Sequence, residues 1–236
     1  MELGEILSDA LVYPFHNIKA LIVYLILGII LGIAISGTIV AVATGAALKN
    51  ILAVLGSGII GIIISVVLGF MINGYELDII KYGIERNPNG PELDFVRQFF
   101  NGIKLFVTKI VYMIIPIIIG AILAIIFQHW LSGLITFIIA IIFSFALMMA
   151  QCRLAKTEDL GSALAIGEAI GDVSRVGIVK LLLFIIIVAV IAFVLFLIAG
   201  LISQWNGTVG GIISGIVGIY VIFFAARAIG LLYSDV

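Results

Sequence analysis

The chain has 236 residues, of which 64% are hydrophobic and 11% are charged, and its mean hydropathy is +1.39. A soluble domain is about 45–50% apolar and about 25% charged, so these few charges cannot cover a soluble globule. The composition also excludes a disordered chain and a collagen. Cys152 is the one cysteine, which excludes a disulfide scaffold, and the net charge of −1 gives no reason to expect nucleic acid as a partner. An integral membrane protein is predicted.

Six apolar stretches are each long enough to cross the hydrocarbon core, which takes about 20 residues of helix. We expect membrane spans at about 20–42, 51–73, 105–127, 131–150, 181–203 and 208–226. Lys109 lies near the start of the third span, where its ammonium group can reach back to the lipid headgroups. The prediction is an all-α, polytopic protein with a single membrane domain, 1–236.

The positions of the charged residues predict the orientation. With six spans, both termini and the two long loops share one side of the membrane. Of the 12 basic residues only Lys49 falls on the other side, and all 13 acidic residues fall on the terminal side. We therefore expect a multi-pass protein of the cell membrane with both termini in the cytoplasm.

Three amphipathic segments, 2–13, 91–104 and 159–175, each precede a pair of spans. Apolar residues recur on one face of each segment, as in a short helix that lies in the membrane interface. Each segment leads into its span through a lysine, and Lys19, Lys104 and Lys180 are 85 and 76 residues apart. The pattern predicts a threefold repeat of an amphipathic helix plus a transmembrane hairpin, with units 1–83, 84–158 and 159–236.

The second unit carries the most distinctive motifs. They are Asn73-Gly74-Tyr75 at the end of a span, GPELD at 90–94, FFNGIK at 99–104 and YMIIP at 112–116. In these motifs the chain resembles the domain of unknown function 4013 family, a six-span membrane family common in methanogenic archaea. The resemblance implies a six-span fold and an archaeal source. It implies no catalytic, cofactor or metal site, because the family carries no established activity.

The spans lack the groups that membrane enzymes and ion-coupled transporters use. Apart from Lys109, none of the six predicted spans contains Asp, Glu, Lys, Arg or His. A charge inside the membrane costs about 2.5–3.5 kcal/mol on insertion scales. His16 and His129 are expected on opposite sides of the membrane, so they cannot share a metal ion. The sequence also lacks a P-loop and the H-E-x-x-H and G-x-S-x-G motifs. We predict no catalytic residue, no cofactor and no metal.

Two sets of residues remain as candidates for contacts. Basic side chains at the cytoplasmic mouth are expected to bind anionic lipid or a protein partner, or to anchor in the headgroups: Lys19, Lys104, Lys180, Arg153 and Arg227. Small residues spaced four apart are expected to bring helices together, within the chain or in a homo-oligomer: Gly28, Gly32, Gly207, Gly211 and Gly215.

Three functions are compatible with these features. The first is a non-catalytic scaffold or accessory subunit that presents amphipathic helices at the cytoplasmic interface. The second is a channel or facilitator for a neutral or hydrophobic small molecule, which needs a cavity lined by polar side chains from the spans: Tyr24, Asn73, Tyr112, Thr136, Tyr220 and the span serines. The third is a lipid-modifying enzyme that uses Asp78, Glu92 or Asp94. The uncharged spans favour the first function.

Overall fold

The computed structural model describes residues 1–127, 130–205 and 207–236; it leaves out the side-chain surroundings of residues 36, 53, 207–209, 211 and 212. Helices account for most of these ranges: α1 Leu3–His16, α2 Ile18–Ala47, α3 Ile51–Ile84, α4 Phe95–Ile126, α5 Trp130–Thr157, α6 Leu160–Leu164, α7 Ile166–Val176, α8 Ile178–Trp205 and α9 Gly207–Tyr233. The all-α prediction is confirmed.

Six helices, α2, α3, α4, α5, α8 and α9, are long and apolar enough to cross a membrane. Each coincides with one predicted span to within a residue or extends beyond it, so the prediction of six helices that are long and apolar enough to cross a membrane is confirmed. Several helices extend beyond the predicted spans; α3, for example, continues past residue 73 to Ile84. The apolar run marks where a helix enters hydrocarbon, whereas the backbone hydrogen bonds of the helix continue into the polar region beyond it.

Two of the three amphipathic segments form short separate helices. Asn17 separates α1 from α2, and Gly177, at φ +96°, separates α7 from α8. Such a positive φ suits glycine, which has no Cβ to clash with the backbone. The third segment comprises α6 and α7.

The predicted separate helix at 91–104 was wrong, because this segment runs into the third span within α4. The Asp94 carboxylate accepts a hydrogen bond from the Arg97 backbone N–H at 3.0 Å, so α4 begins there. No proline or positive-φ residue interrupts the helix between this cap and Leu105. The amphipathic pattern therefore describes the first turns of a spanning helix.

The buried side chains concentrate at the end of the bundle that carries both termini. We call this the polar end; it comprises α1, α6, α7, residues 85–94, the first turns of α2, α4 and α8, and the last turns of α3, α5 and α9. Tyr24 and Tyr75 stack here with ring centroids 4.1 Å apart, and Phe223 packs against both rings. Toward the opposite end the long helices expose isoleucine, leucine and phenylalanine side chains, as expected for surfaces in contact with lipid.

Glycines at the polar end permit close approaches between helix backbones. A Cβ on Gly74 of α3 would overlap the Gln98 backbone of α4, and one on Gly102 of α4 would overlap the Phe70 backbone of α3. Gly83 and Gly230 bring α3 and α9 somewhat less close, since a Cβ on Gly83 would lie 2.9 Å from the Gly230 Cα. Small residues thus let these helix backbones approach one another.

The predicted glycine stripes make fewer of these contacts. A Cβ on Gly28 would lie 3.1 Å from the Ile219 side chain of α9, whereas on Gly32 or Gly215 it would meet no atom within 4 Å beyond its own helix. Gly207 and Gly211 lie outside the residues whose side-chain surroundings are described. The four-residue spacing marks a smooth helix surface but does not identify which face is covered.

Candidate functional site

The polar end is held together by arginine–aspartate pairs that join distant parts of the chain. Three such pairs in the described ranges have one partner that is at most 3% exposed. They are Asp78–Arg97, Asp172–Arg153 and Asp9–Arg227. A buried ion pair is stable in the folded protein only when further hydrogen bonds satisfy its remaining polar atoms. Each of these pairs has such additional hydrogen bonds.

Asp78, at the end of α3, binds both terminal nitrogens of Arg97 at the start of α4, at 3.1 and 2.9 Å. Gln98 lies behind this pair with its side chain fully buried. Its amide donates to Asp78 and to the Glu92 carbonyl, both at 3.1 Å, and accepts from the Tyr24 hydroxyl at 2.6 Å. The network thus connects α2, α3 and α4.

Arg227, on α9, is enclosed by three other elements. Its Nε donates to the Asp9 carboxylate of α1 at 2.7 Å. Its Nη1 donates to the Tyr82 carbonyl at 3.2 Å and to the Asn87 carbonyl at 2.6 Å. The guanidinium carbon lies 4.8 Å from the centre of the Tyr13 ring, within reach of a cation–π interaction. Arg227 therefore fastens α1 and the end of α3 to α9.

Asp172, on α7, receives hydrogen bonds from two arginines and a tyrosine. Arg153 of α5 and Arg175 of α7 each donate at 3.1 Å, and the Tyr233 hydroxyl of α9 donates at 2.7 Å. Arg153 also donates to the Ser162 carbonyl at 3.0 Å and pairs with Glu168. This cluster connects α5, α6, α7 and α9.

Tyrosine hydroxyls on the spanning helices complete these connections. Tyr112 of α4 donates to the Ala163 carbonyl of α6 at 2.9 Å, and Tyr220 of α9 donates to the Leu11 carbonyl of α1 at 2.8 Å. Both hydroxyls, like that of Tyr24, are used between elements of the chain. These tyrosines, which were predicted to line a passage, also fasten the polar end. Of the predicted lining, Tyr112, Thr136 and Ser144 meet in one largely apolar groove of about 250 Å³ between α4 and α5.

The predicted basic residues differ in how they are used. Lys104 donates to the Glu158 carbonyl at 2.9 Å and Lys180 to the Met1 carbonyl at 3.3 Å. Lys19 is exposed beside a cleft that Glu92 also lines. Lipid or partner contacts of these three lysines, and of half-buried Arg153, stay a prediction.

The expectation changes for Arg227 and for Lys109. The Arg227 side chain is 2% exposed, so its charge faces protein groups and is withdrawn from lipid headgroups. Lys109 donates to Asn73 at 3.1 Å and pairs with Glu76 at 3.4 Å. Both groups lie on neighbouring α3. The Lys109 ammonium, which was predicted to reach back to the lipid headgroups, therefore has partners within the protein.

The residues considered for catalysis or metal binding do not converge on one site. The Asp78 carboxylate accepts hydrogen bonds from Arg97, the Asp94 carboxylate caps α4, and the Glu92 side chain is exposed. Over the described part of the chain, no three histidine, cysteine, aspartate or glutamate side chains come together in a way that could hold a metal ion. His16 is exposed, and His129 lies outside the described residues.

Glu158 and Tyr13 are among the ionisable groups outside the spanning helices that have shifted pKa values. The Lys81 ammonium donates to the Glu158 carboxylate at 2.6 Å and holds the pKa of Glu158 below its usual value. Burial raises the pKa of the Tyr13 hydroxyl, although nearby Arg227 opposes the shift. At neutral pH Glu158 is therefore charged and Tyr13 is neutral, as their hydrogen bonds require.

The comparison with known families identifies the chain by its sequence. The model of the family described as protein of unknown function (DUF4013) matches residues 57–204, which is more than half of the chain. The chain belongs to the DUF4013 family. The match includes the Asp78–Arg97 and Asp172–Arg153 pairs, whereas Tyr24, Tyr233 and Arg227 lie outside it. No curated protein and no solved structure matches this DUF4013 protein.

Gln98 and Asp172 are the main site residues that sequence reasoning missed. A glutamine or aspartate in an amphipathic segment looks like part of the solvated face, yet both side chains are buried here. One available signal was the similar sequence spacing of Asp78, Arg153 and Arg227, which are 75 and 74 residues apart. It indicates related positions but not the residue that each one contacts.

Proposed function

We propose that this DUF4013 protein is a non-catalytic membrane scaffold or accessory subunit that offers a rigid polar end to a partner. The observation that carries the proposal is the set of three arginine–aspartate pairs. Each pair fixes the end of a spanning helix to an amphipathic segment. Rigid, internally satisfied polar elements suit a surface that positions a partner, because binding then costs little ordering.

The three pairs also support the threefold arrangement. Asp78 at the end of unit 1–83 pairs with unit 84–158, Arg153 at the end of that unit pairs with unit 159–236, and Arg227 returns to the first unit. Under this interpretation the hairpins α2–α3, α4–α5 and α8–α9 form a ring at the polar end. In the first connection the spanning helix carries the aspartate, whereas in the other two connections it carries the arginine.

The second candidate function is a passive pathway for a neutral or hydrophobic molecule. It is less well supported because the polar side chains proposed to line the pathway already have partners. Besides the tyrosines, Asn73 donates to the Gly69 carbonyl at 2.8 Å and Thr136 donates to the Ser132 carbonyl at 2.8 Å. A wet pathway would need such groups turned toward its water.

Flux through proteoliposomes tests the choice between the two functions. Purified protein is reconstituted into vesicles, and shrinkage in a gradient of glycerol or urea is followed by light scattering. If the protein is a scaffold, vesicles that contain it should shrink at the same rate as vesicles without protein. A rate that rises with the protein-to-lipid ratio, and falls when Tyr24→Phe and Tyr112→Phe are introduced, would favour the pathway and overturn the scaffold.

We further propose that the polar end faces the cytoplasm, on the basis of the charge distribution. Cys152 is buried and gives little background for thiol labelling. A membrane-impermeant maleimide added to intact cells should label Lys49→Cys and spare Glu85→Cys. The reverse pattern would show the opposite orientation.

A further inference from the structure

A groove of about 300 Å³ lies between α5 and α8, next to α9. Its walls are largely apolar and include Leu147, Met148, Phe184 and Val188. It lies along two membrane-spanning helices, so its open side faces the hydrocarbon of the bilayer. A hydrocarbon chain is the material that such a groove can take up from its surroundings.

Gln151 supplies a polar group at one end of this groove. The residue is 8% exposed, and its side-chain amide forms no hydrogen bond with any residue that the structure describes. In the described ranges, every side-chain nitrogen or oxygen that is completely buried has a hydrogen-bond partner. The Gln151 amide has no such partner, so it is not completely buried, and it opens onto the groove that it lines. A buried amide without a partner is unfavourable, and a ligand with a hydrogen-bonding oxygen would satisfy it.

The groups along the groove follow the order of groups along a phospholipid. Lys180 precedes Phe184 by one helical turn and lies on the same face of α8, toward the polar end. Its ammonium donates to the Met1 carbonyl at 3.3 Å and has two further N–H groups. Gln151 comes next, two residues before Arg153 at the polar end of α5. The apolar wall then continues for about 12 Å along α8, toward Ala192.

We propose that this groove binds one chain of a glycerophospholipid from the bilayer. The chain lies against α5 and α8, the ester or ether oxygen next to the glycerol accepts a hydrogen bond from the Gln151 amide, and the phosphate lies at Lys180. The charge of Lys180 complements the phosphate, and an uncharged amide suits an uncharged oxygen. The site does not depend on the scaffold role, because its chain-binding walls on α5 and α8 face the lipid.

Photolabelling of the full chain in nanodiscs tests the site. The probe is phosphatidylglycerol with a diazirine in one acyl chain, and labelled peptides are located by mass spectrometry. We expect labelling to concentrate on residues 144–151 and 184–192. Gln151→Leu, which keeps the size but removes the hydrogen bond, should lower this labelling about twofold to tenfold. Ala192→Trp, which fills the groove, should abolish it.

Ile26→Trp is the matched control, because Ile26 is an exposed apolar side chain on α2 away from the groove. Its labelling of α5 and α8 should equal that of the wild type, and far-UV circular dichroism and gel filtration should show that all three variants fold. Labelling that is spread over all lipid-facing helices and insensitive to Ala192→Trp would overturn the site. Labelling blocked by Ala192→Trp but unchanged by Gln151→Leu would overturn the placement of the glycerol oxygen at Gln151.

Discussion

Removing the two partners of the Asp9–Arg227 pair should have unequal effects on stability. Arg227 is 2% exposed, whereas Asp9 is 41% exposed. Asp9→Ala leaves a buried guanidinium without its counter-charge, and breaking a buried pair in this way costs about 3–5 kcal/mol. Arg227→Met leaves a carboxylate that water can reach.

The cost of Arg227→Met comes instead from the carbonyl groups. The Tyr82 carbonyl still accepts from the Asn87 backbone N–H at 2.9 Å. The Asn87 carbonyl loses the Arg227 donor, and an unsatisfied acceptor costs about 1–3 kcal/mol. We therefore expect Asp9→Ala to lower the free energy of unfolding by more than Arg227→Met, and the double variant to resemble Arg227→Met alone.

The assay is unfolding in mixed micelles at increasing mole fraction of sodium dodecyl sulfate, followed by far-UV circular dichroism. Glu158→Ala is the control, since it removes the exposed Lys81–Glu158 pair and should cost at most about 1 kcal/mol. The reasoning is refuted if Asp9→Ala is no more destabilising than Arg227→Met. It is equally refuted if the double variant shows the sum of the two single effects.

Three further predictions concern the same end of the bundle. Gly74→Ala should separate α3 from α4 and lower the free energy of unfolding by about 3 kcal/mol, the upper end of the usual cost of overpacking. Gly69→Ala on the same helix meets no atom within 4 Å and should be neutral. Equal unfolding midpoints for the two variants in the same assay would contradict this prediction. Tyr112→Phe loses the buried hydrogen bond to α6 and should cost about 1–2 kcal/mol, with faster amide exchange at 160–164; unchanged exchange there would count against it. The lowered pKa of Glu158 stabilises the folded state above the unfolded value of 4.5, and this contribution disappears as the pH falls through the folded pKa. The stability difference between wild type and Glu158→Gln should therefore shrink on acidification below about pH 4.5, and a constant difference would show that the Lys81 contact contributes nothing.

The sequence predicts the features that depend on local composition. A run of apolar residues determines that a helix can cross the bilayer, because every backbone polar group in hydrocarbon must bond within its own segment. The six spanning helices are therefore predictable without tertiary contacts. The periodicity of the amphipathic segments likewise anticipates α1 and the α6–α7 region.

Local patterns were insufficient where two segments meet. The pattern at 91–104 is that of an amphipathic helix, but only the structure shows that it continues α4. The predicted glycine stripes have the right spacing, yet the closest approaches of one helix backbone to another are at Gly74 and Gly102, where α3 and α4 pack together. Spacing describes one helix, whereas a crossing point depends on two.

The fate of the charged residues shows the same division. The sequence by itself determined that the charges gather at one end, because the bilayer interior excludes them. Only the tertiary structure decided which polar groups face each other: Arg227 binds Asp9 across 218 residues of sequence, and the Gln151 amide has no hydrogen bond to any residue that the structure describes. Burial and pairing depend on distant segments that come together only when the helices pack, so no local pattern could assign them.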